Sequence, residues 1–244
     1  FSVQEVADAL KGVDIPVLVK NPINPDLSLW IGGLERINQA GITRLGAIHR
    51  GFSTFEKTPF RNIPMWDMAI ELKRQYPNLD IVCDPSHIAG NRDLIPYISQ
   101  KALDLDMSGL MIESHITPSV AWSDAAQQVT PDALKQIIKD LTIRKTDDTT
   151  DEYSQKMTKL RANIDVLDAN LLELLGKRMK VADEIGQVKK DANVAILQNN
   201  RWNEIQAKMV AEGAKKGLTE EFIVKLFKGI HQESIEHQEK ILNS

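Results

Sequence analysis

The sequence predicts two unlike units in one chain: an α/β unit built on a parallel sheet, then an all-α unit of long helices. Four short apolar runs recur in the first half at intervals of roughly thirty residues, the spacing of strand–helix repeats. All ten prolines fall at or before Pro131. Beyond Ser154 the apolar residues step by three and four over long stretches, which is a helical period.

The four runs are PVLVK ending at Lys20, RLGAI ending at Ile48, LDIVC ending at Cys83 and GLMIE ending at Glu113. Helices are expected between them at Ser28–Ala40, Pro64–Tyr76 and Asp93–Ala102, and after the last at Pro131–Asp140, several opening on Ser, Asp or Pro. Consecutive βα units of this kind form a parallel sheet. Each run then turns polar at its carboxyl end, to Lys20-Asn21-Pro22, His49-Arg50-Gly51, Asp84-Pro85-Ser86-His87 and Glu113-Ser114-His115. In a (β/α)8 barrel the active site is built at those ends, so the repeated switch points to a barrel rim. Four units make half of a TIM barrel, roughly its strands 5–8, so further strands complete it or the half closes against something else.

Composition narrows the function. The chain has 244 residues, 42% hydrophobic and 26% charged, which excludes a disordered chain. No apolar run is long enough to cross a bilayer, so no membrane partner is expected. One cysteine excludes an intrachain disulfide framework, and a cytoplasmic, reducing setting is expected. The net charge of −4, without clustered positive charge, argues against nucleic acid. A charged, threonine-rich stretch without apolar pattern marks a solvated linker, giving units 1–140 and 154–244 joined by 141–153.

At the rim, His87, Glu113 and Asp124 offer an imidazole and two carboxylates, a set suited to a divalent Mn, Fe, Co or Zn ion. Lys20 and Arg50 add two cations on neighbouring strand ends, as a phosphorylated or carboxylated substrate requires. Each residue also has a plainer reading as a hydrogen-bonded loop side chain. The motifs KNP, GAIHRGFSTFEK, CDPSH and GLMIESH with a downstream SD resemble, in order over about residues 1–140, the second half of type I DAHP synthases of the short-barrel subfamily. That resemblance implies condensation of phosphoenolpyruvate with erythrose 4-phosphate, metal ligands at His87, Glu113 and Asp124, and phosphoenolpyruvate binding by Lys20 and Arg50. It also implies a fourth, cysteine ligand and a Lys-Pro-Arg-Thr-type loop that would precede Phe1, so little synthase activity is expected unless those strands are supplied. Cys83 is read instead as a buried structural thiol.

In the second unit one helix is expected over Ser154–Lys190, about 55 Å long at standard rise. Its apolar stripe runs through Met157, Leu160, Ile164, Leu167, Leu171, Leu174, Val181, Ile185 and Val188, with Arg178 interrupting the same face. A second helix, Leu197–Ala211, aligns Gln198 and Arg201 with Ile205 and Met209. A third, opening near Thr219, aligns Ile223, Leu226, Phe227 and Ile230 with Ser234 and Gln238. Guanidinium groups facing a core are costly unless satisfied, and no acid is expected at an equivalent inward position. With Arg161 and Lys189, the set describes a cavity for a small dianion. The plainer alternative is that Arg161 and Lys189 are solvated, Ser234 and Gln238 form a polar seam, and the other arginines snorkel.

The stretches KLRANIDVLDANLLELLGKR, GQVKK and ESIEHQ resemble the AroQ class of chorismate mutases over about residues 154–242. The resemblance implies an intertwined homodimer of three-helix units. Arg178, Lys189 and Arg201 then belong to one subunit's site, Arg161 comes from the partner, and Ser234 and Gln238 form the polar pair of the last helix. Gln198 and Trp202 stand where the family often has Asp and Glu; Gln198 can still hydrogen-bond a substrate hydroxyl. The implied reaction, chorismate to prephenate, needs no cofactor. Together the resemblances imply a bifunctional shikimate-pathway enzyme, with a catalytically decayed, ligand-sensing helical module as the alternative.

Overall fold

The computed structural model describes residues 3–55, 57–145, 150–197 and 199–243, with backbone alone over 199–203. The chain divides into two compact units, Phe1–Asp147 and Asp148–Ser244.

In the first unit the elements are α1 (Val3–Leu10), β1 (Val17–Lys20), α2 (Leu27–Gln39), β2 (Leu45–His49), α3 (Trp66–Gln75), β3 (Asp80–Cys83), α4 (Pro85–Ala89), α5 (Ile95–Asp104), β4 (Gly109–Leu110) and α6 (Pro131–Asp140). The strands form one parallel sheet in the order β1-β2-β3-β4, with Lys20 opposite Ile48 and His49 opposite Cys83. Strand order equal to chain order is what successive βα units give. β1 lies at one edge with Leu18 exposed, and β4 at the other. The expected helices occur within a few residues of their predicted ends. Asp26 caps α2 by accepting from Leu29 N at 3.1 Å, and Thr130 caps α6 from Ala133 N at 3.2 Å.

Two helices were not expected. α1 buries only Ala7, and α4 is a single turn inside the CDPSH motif. The last strand is shorter than the GLMIE run. Met111 N still reaches Cys83 O at 2.7 Å, but Glu113 and His115 bond to Val129, so the chain turns to the segment before α6. Trp30, Leu72, Ile81, Cys83, Ile88, Ile95 and Ile98 fill the core between sheet and helices. Thr142 N donates to Gln100 Oε1 at 2.8 Å and Arg144 pairs with Asp104 at 2.7 Å, so the start of the expected linker is tied to α5.

The second unit comprises α7 (Asp151–Asp191), α8 (Asn199–Lys215) and α9 (Glu220–Leu242). Thr219 caps α9 through Phe222 N at 3.3 Å. The expected apolar stripe of α7 is not its packed face. Leu160, Ile164, Leu167, Leu171 and Leu174 are exposed, Leu167 at 64%, as are Val181, Ile185 and Val188. α9 instead meets the face carrying Arg178, Met179, Ala182 and Gly186, where small residues let the backbones approach. Asp183, partly exposed at the edge of this contact, bonds His237 Nδ1 at 2.8 Å. Among the described residues no helix is long and apolar enough to cross a membrane.

Gly186 sets the α7–α9 spacing. A Cβ there would lie 3.1 Å from Gln238 Cα and 3.3 Å from Ile241 Cβ. Alanine gains about 1 kcal/mol of helix propensity, but backbone atoms cannot yield as a side chain does. Gly186→Ala is therefore expected to destabilise the helical unit by about 1–2 kcal/mol in urea unfolding followed by circular dichroism. A variant as stable as the parent would show the contact to be looser.

Candidate functional site

Asp84 organises the rim at the carboxyl ends of the strands. Its side chain is 1% exposed, yet it caps α4 by accepting from His87 N at 3.1 Å and pairs with Lys20 Nζ at 3.3 Å. His87 Nδ1 also stands 2.8 Å from Asp84 Oδ2, outside hydrogen-bonding alignment. A carboxylate taken out of water needs such partners, so the single turn α4 is fixed with His87 at its centre. The His87 carbonyl accepts from Asn62 Nδ2 at 2.7 Å, and Glu113 N donates to Ser86 Oγ at 2.9 Å.

His87, Glu113 and Asp124 come together: one donor atom from each lies within 4.8 Å of the other two. Ligands bound at about 2.0–2.2 Å to one ion stand roughly 3–4 Å apart, so small side-chain adjustments close the set. Arg61 pairs with Asp124 at 2.7 Å and donates to Gln127 Oε1 at 2.8 Å, while Gln127 Nε2 donates to Glu113 Oε2 at 2.8 Å. The Arg61 hydrogen bond holds the Asp124 carboxyl below its usual range and so keeps it a carboxylate donor. The residues fit a divalent ion held by nitrogen and oxygen ligands.

Asn21 joins the ends of β1 and β2. Its Nδ2 donates to Gly51 O at 2.8 Å and its Oδ1 accepts from Arg50 N at 2.7 Å. Lys20 and half-buried Arg50 thereby sit on adjacent strand ends. Gly51 has φ +74° and a Cβ would fall 2.8 Å from Asn62 O, which reserves this turn for glycine. Cys83 is buried beneath the rim, and burial followed by the neighbouring Asp84 charge pushes its thiol far up, as befits an inert structural residue.

The helical unit holds a second candidate site. Arg178, Lys189, Ser234 and Gln238 line one cavity of about 280 Å³ with Val181, Ala182, Ile185, Ile196, Ile205, His231 and Ile235. Arg178 Nη1 donates to Ser234 Oγ and to Ile230 O, and Lys189 Nζ donates to Ile196 O. Burial lowers the pKa of both cations, the mark of charge partly removed from water. Gln238 Nε2 donates to Ser234 O at 3.1 Å, while its buried Oε1 has no partner. Arg161 is exposed, 17 residues and about 26 Å of helix rise from Arg178, and does not line this cavity. Gln198, and the side chains of Arg201 and Trp202, lie outside the described residues.

Residues 2–150 match the family model of the DAHP synthetase I family. The chain belongs to that family. Residues 160–239 match the model of chorismate mutase type II. A phospho-2-dehydro-3-deoxyheptonate aldolase of Thermotoga maritima is 29% identical over 126 residues, covering 52% of this chain and 37% of the relative. A bifunctional chorismate mutase/prephenate dehydratase of Buchnera aphidicola is 34% identical over 83 residues, 34% of this chain and 22% of the relative. A truncated 3-deoxy-D-arabino-heptulosonate 7-phosphate synthase from Thermotoga maritima superposes with TM-score 0.51 at 26% identity, over 66% of this chain and 55% of that one. A crystal structure of phospho-2-dehydro-3-deoxyheptonate aldolase from the same organism gives 0.52 at 28%, over 56% and 40%. The chain thus spans well under two thirds of the length of these relatives. The parallel sheet of this DAHP synthetase I chain is part of a TIM barrel of the kind those structures show, and a divalent metal belongs to the family's chemistry.

Arg61, Asp84, Gln127 and His231 were not singled out from sequence. Asp84 carried a signal, as the capping residue of a DPSH turn, whereas Arg61 and Gln127 are polar loop residues whose meeting is purely tertiary.

His49 ends β2 among Trp30, Phe52 and Trp66, fully buried, with ring centroids 5.3–6.2 Å apart and no well-aligned hydrogen bond to either nitrogen. Burial lowers its pKa from 6.5 to about 4. The unfolded chain therefore binds this proton first as pH falls. The stability contributed by neutral His49 is complete above about pH 6.5 and lost between there and about pH 4. An NMR titration should show the imidazole still neutral at about pH 5.5, and a midpoint near the unperturbed value would contradict this burial.

Proposed function

We propose that the chain serves two steps of the shikimate pathway: condensation of phosphoenolpyruvate with erythrose 4-phosphate at the barrel rim, and rearrangement of chorismate to prephenate in the helical unit. Residues 1–140 are the barrel part and 154–244 the mutase, joined through 141–153, of which α7 takes up the residues from Asp151. The observation that carries the mutase assignment is the sharing of one cavity by Arg178, Lys189, Ser234 and Gln238, with no carboxylate among the described residues that line it.

At the rim, His87, Glu113 and Asp124 would hold a Mn, Fe, Co or Zn ion. Bound there, the ion supplies Lewis-acid polarisation of the aldehyde. Lys20 and Arg50 bind the phosphate and carboxylate of phosphoenolpyruvate, Asp84 orients Lys20, and Gln127 orients Glu113. Catalysis of this step requires the remaining barrel strands. On the full chain, calorimetric titration with Mn²⁺ should lose its binding signal in Glu113→Ala and weaken by about tenfold in Gln127→Ala. Equal binding by all three proteins would remove the metal assignment.

The mutase step is pericyclic and needs no nucleophile or cofactor, so the site acts by holding shape and stabilising charge on the breaking ether bond. Arg178 clamps one substrate carboxylate and Arg201 assists. Lys189 and Gln238 donate to the ether oxygen, while Ser234 and Gln198 hold polar groups at the periphery. Arg161 is too far along α7 to serve its own cavity, and the exposed apolar stripe beside it supports a homodimer in which it enters the partner's site.

Chorismate loss followed by ultraviolet absorbance, with metal chelated, should fall about 10²–10³-fold in Arg178→Ala and in Lys189→Ala with little change in unfolding midpoint. Mixing Arg161→Ala with Arg178→Ala and allowing subunits to exchange should restore about a quarter of the parental rate, since half the dimers then carry one intact site. Full activity in the single variants, or no recovery on mixing, would refute the shared-site assignment.

A further inference from the structure

The three rim ligands are held in different ways. His87 is fixed within α4, and Glu113 lies where the chain pairs with the segment before α6, its carbonyl accepting from Val129 N at 3.1 Å. Asp124 sits instead on the irregular stretch of residues 121–128, with φ +49°. A residue that bears a side chain keeps that left-handed backbone only where its surroundings hold it. Within the stretch, Gln127 N donates to Asp124 O at 3.0 Å and Gln128 Nε2 to Ser123 O at 2.8 Å, which shapes a turn but does not attach it to the rim.

Arg92 makes that attachment. It lies on the segment from α4 to α5, five residues after His87. Its Nε donates to Gln128 O at 2.6 Å and its Nη2 to Ala125 O at 2.5 Å, so one planar fork grips the turn by two carbonyls. The base of this side chain is itself fixed. Arg92 O accepts from Ile95 N at 3.3 Å, Asn91 Oδ1 accepts from Asp93 N at 3.1 Å and Leu94 N at 3.3 Å, and Ile95 is fully buried. Arg61 acts differently, because it bonds Oδ1 of Asp124 and draws on the same charge that an ion would use. Arg92 touches backbone oxygens and leaves every donor atom of the ligand set free.

We propose that Arg92 is a positioning residue of the metal site: by clasping Ala125 O and Gln128 O it holds Asp124 in its left-handed backbone, within reach of the ion that His87 and Glu113 share. This rests on the metal assignment at the rim and deepens it. The clasp ties the Asp124 turn to the same short segment that carries His87, so the separation of imidazole and carboxylate is set before any ion arrives. Preorganisation of this kind raises affinity because binding no longer has to order the loop. Arg92 is exposed, so water replaces it at both carbonyls when it is removed. What is lost is the orientation of one ligand, with little of the fold.

The test is calorimetric titration of the full chain with Mn²⁺, paired with hydrogen exchange of the metal-free chain read by mass spectrometry. Arg92→Ala should weaken Mn²⁺ binding about tenfold, the usual scale for a residue that orients a ligand, at an unchanged unfolding midpoint. Arg92→Lys, which can still donate to one carbonyl, should weaken it less. In Arg92→Ala, peptides covering residues 121–129 should exchange faster, while those of α5 and β3 keep the parental rate. Parental Mn²⁺ affinity in either folded variant with the loop still protected, or faster exchange spread through α5 and β3, would overturn the positioning role and leave the metal assignment standing. Absence of Mn²⁺ binding by the parent would instead remove the metal assignment, and this inference with it.

Discussion

A positive charge withdrawn from water must be repaid with oxygen atoms, and the helical unit repays Arg178 only in part. Its guanidinium sits between α7 and α9 with a hydroxyl and a carbonyl for company and, among the described residues, no carboxylate. The shortfall leaves Arg178 able to take a further anionic partner, which is what the proposed mutase role uses. It also explains the neighbours: Lys189 rests on a backbone carbonyl, Gln238 keeps an unpaired buried oxygen, and the acid on this helix contact, Asp183, is already engaged by His237. An acid close enough to satisfy Arg178 would stabilise the fold and close the site to its guest.

The rim of the sheet solves the opposite problem. There a carboxylate, Asp84, is buried, and its compensation is shared by the backbone N–H of His87 and a lysine, with the His87 imidazole close beside it. Because one side chain meets all three, Lys20 and His87 are placed relative to each other although they come from different strands. Arg61 and Gln127 do the same for Asp124 and Glu113. Rigid strand ends provide the positions, and shared polar partners provide the orientations.

How much of this was legible in the sequence depended on whether the deciding contact is local. α6 occupies the predicted Pro131–Asp140 because its signals, a threonine cap and a proline in the first turn, act within four residues. The strand runs stood out because a sheet covered on its faces needs continuous apolar residues. β4 fell short because its last residues find a partner at Val129, which no local pattern announces. The stripe of α7 shows a deeper limit: periodicity reveals that a face is apolar but not what lies against it, and here α9 covers another face. Of the site, His87, Glu113 and Asp124 could be paired from motifs, whereas Arg61 and His231 owe their places to tertiary folding alone.

The sheet has one further implication. β1 is an edge strand, with Leu18 uncovered and one row of backbone groups facing outward, and such an edge accepts another strand in register. A parallel neighbour there would bring its carboxyl end near the level of Lys20, as β2 does with Ile48 opposite Lys20 and His49 next along. The extent of the rim is therefore governed by backbone pairing at this seam, and further side chains can be added to it one ladder rung at a time.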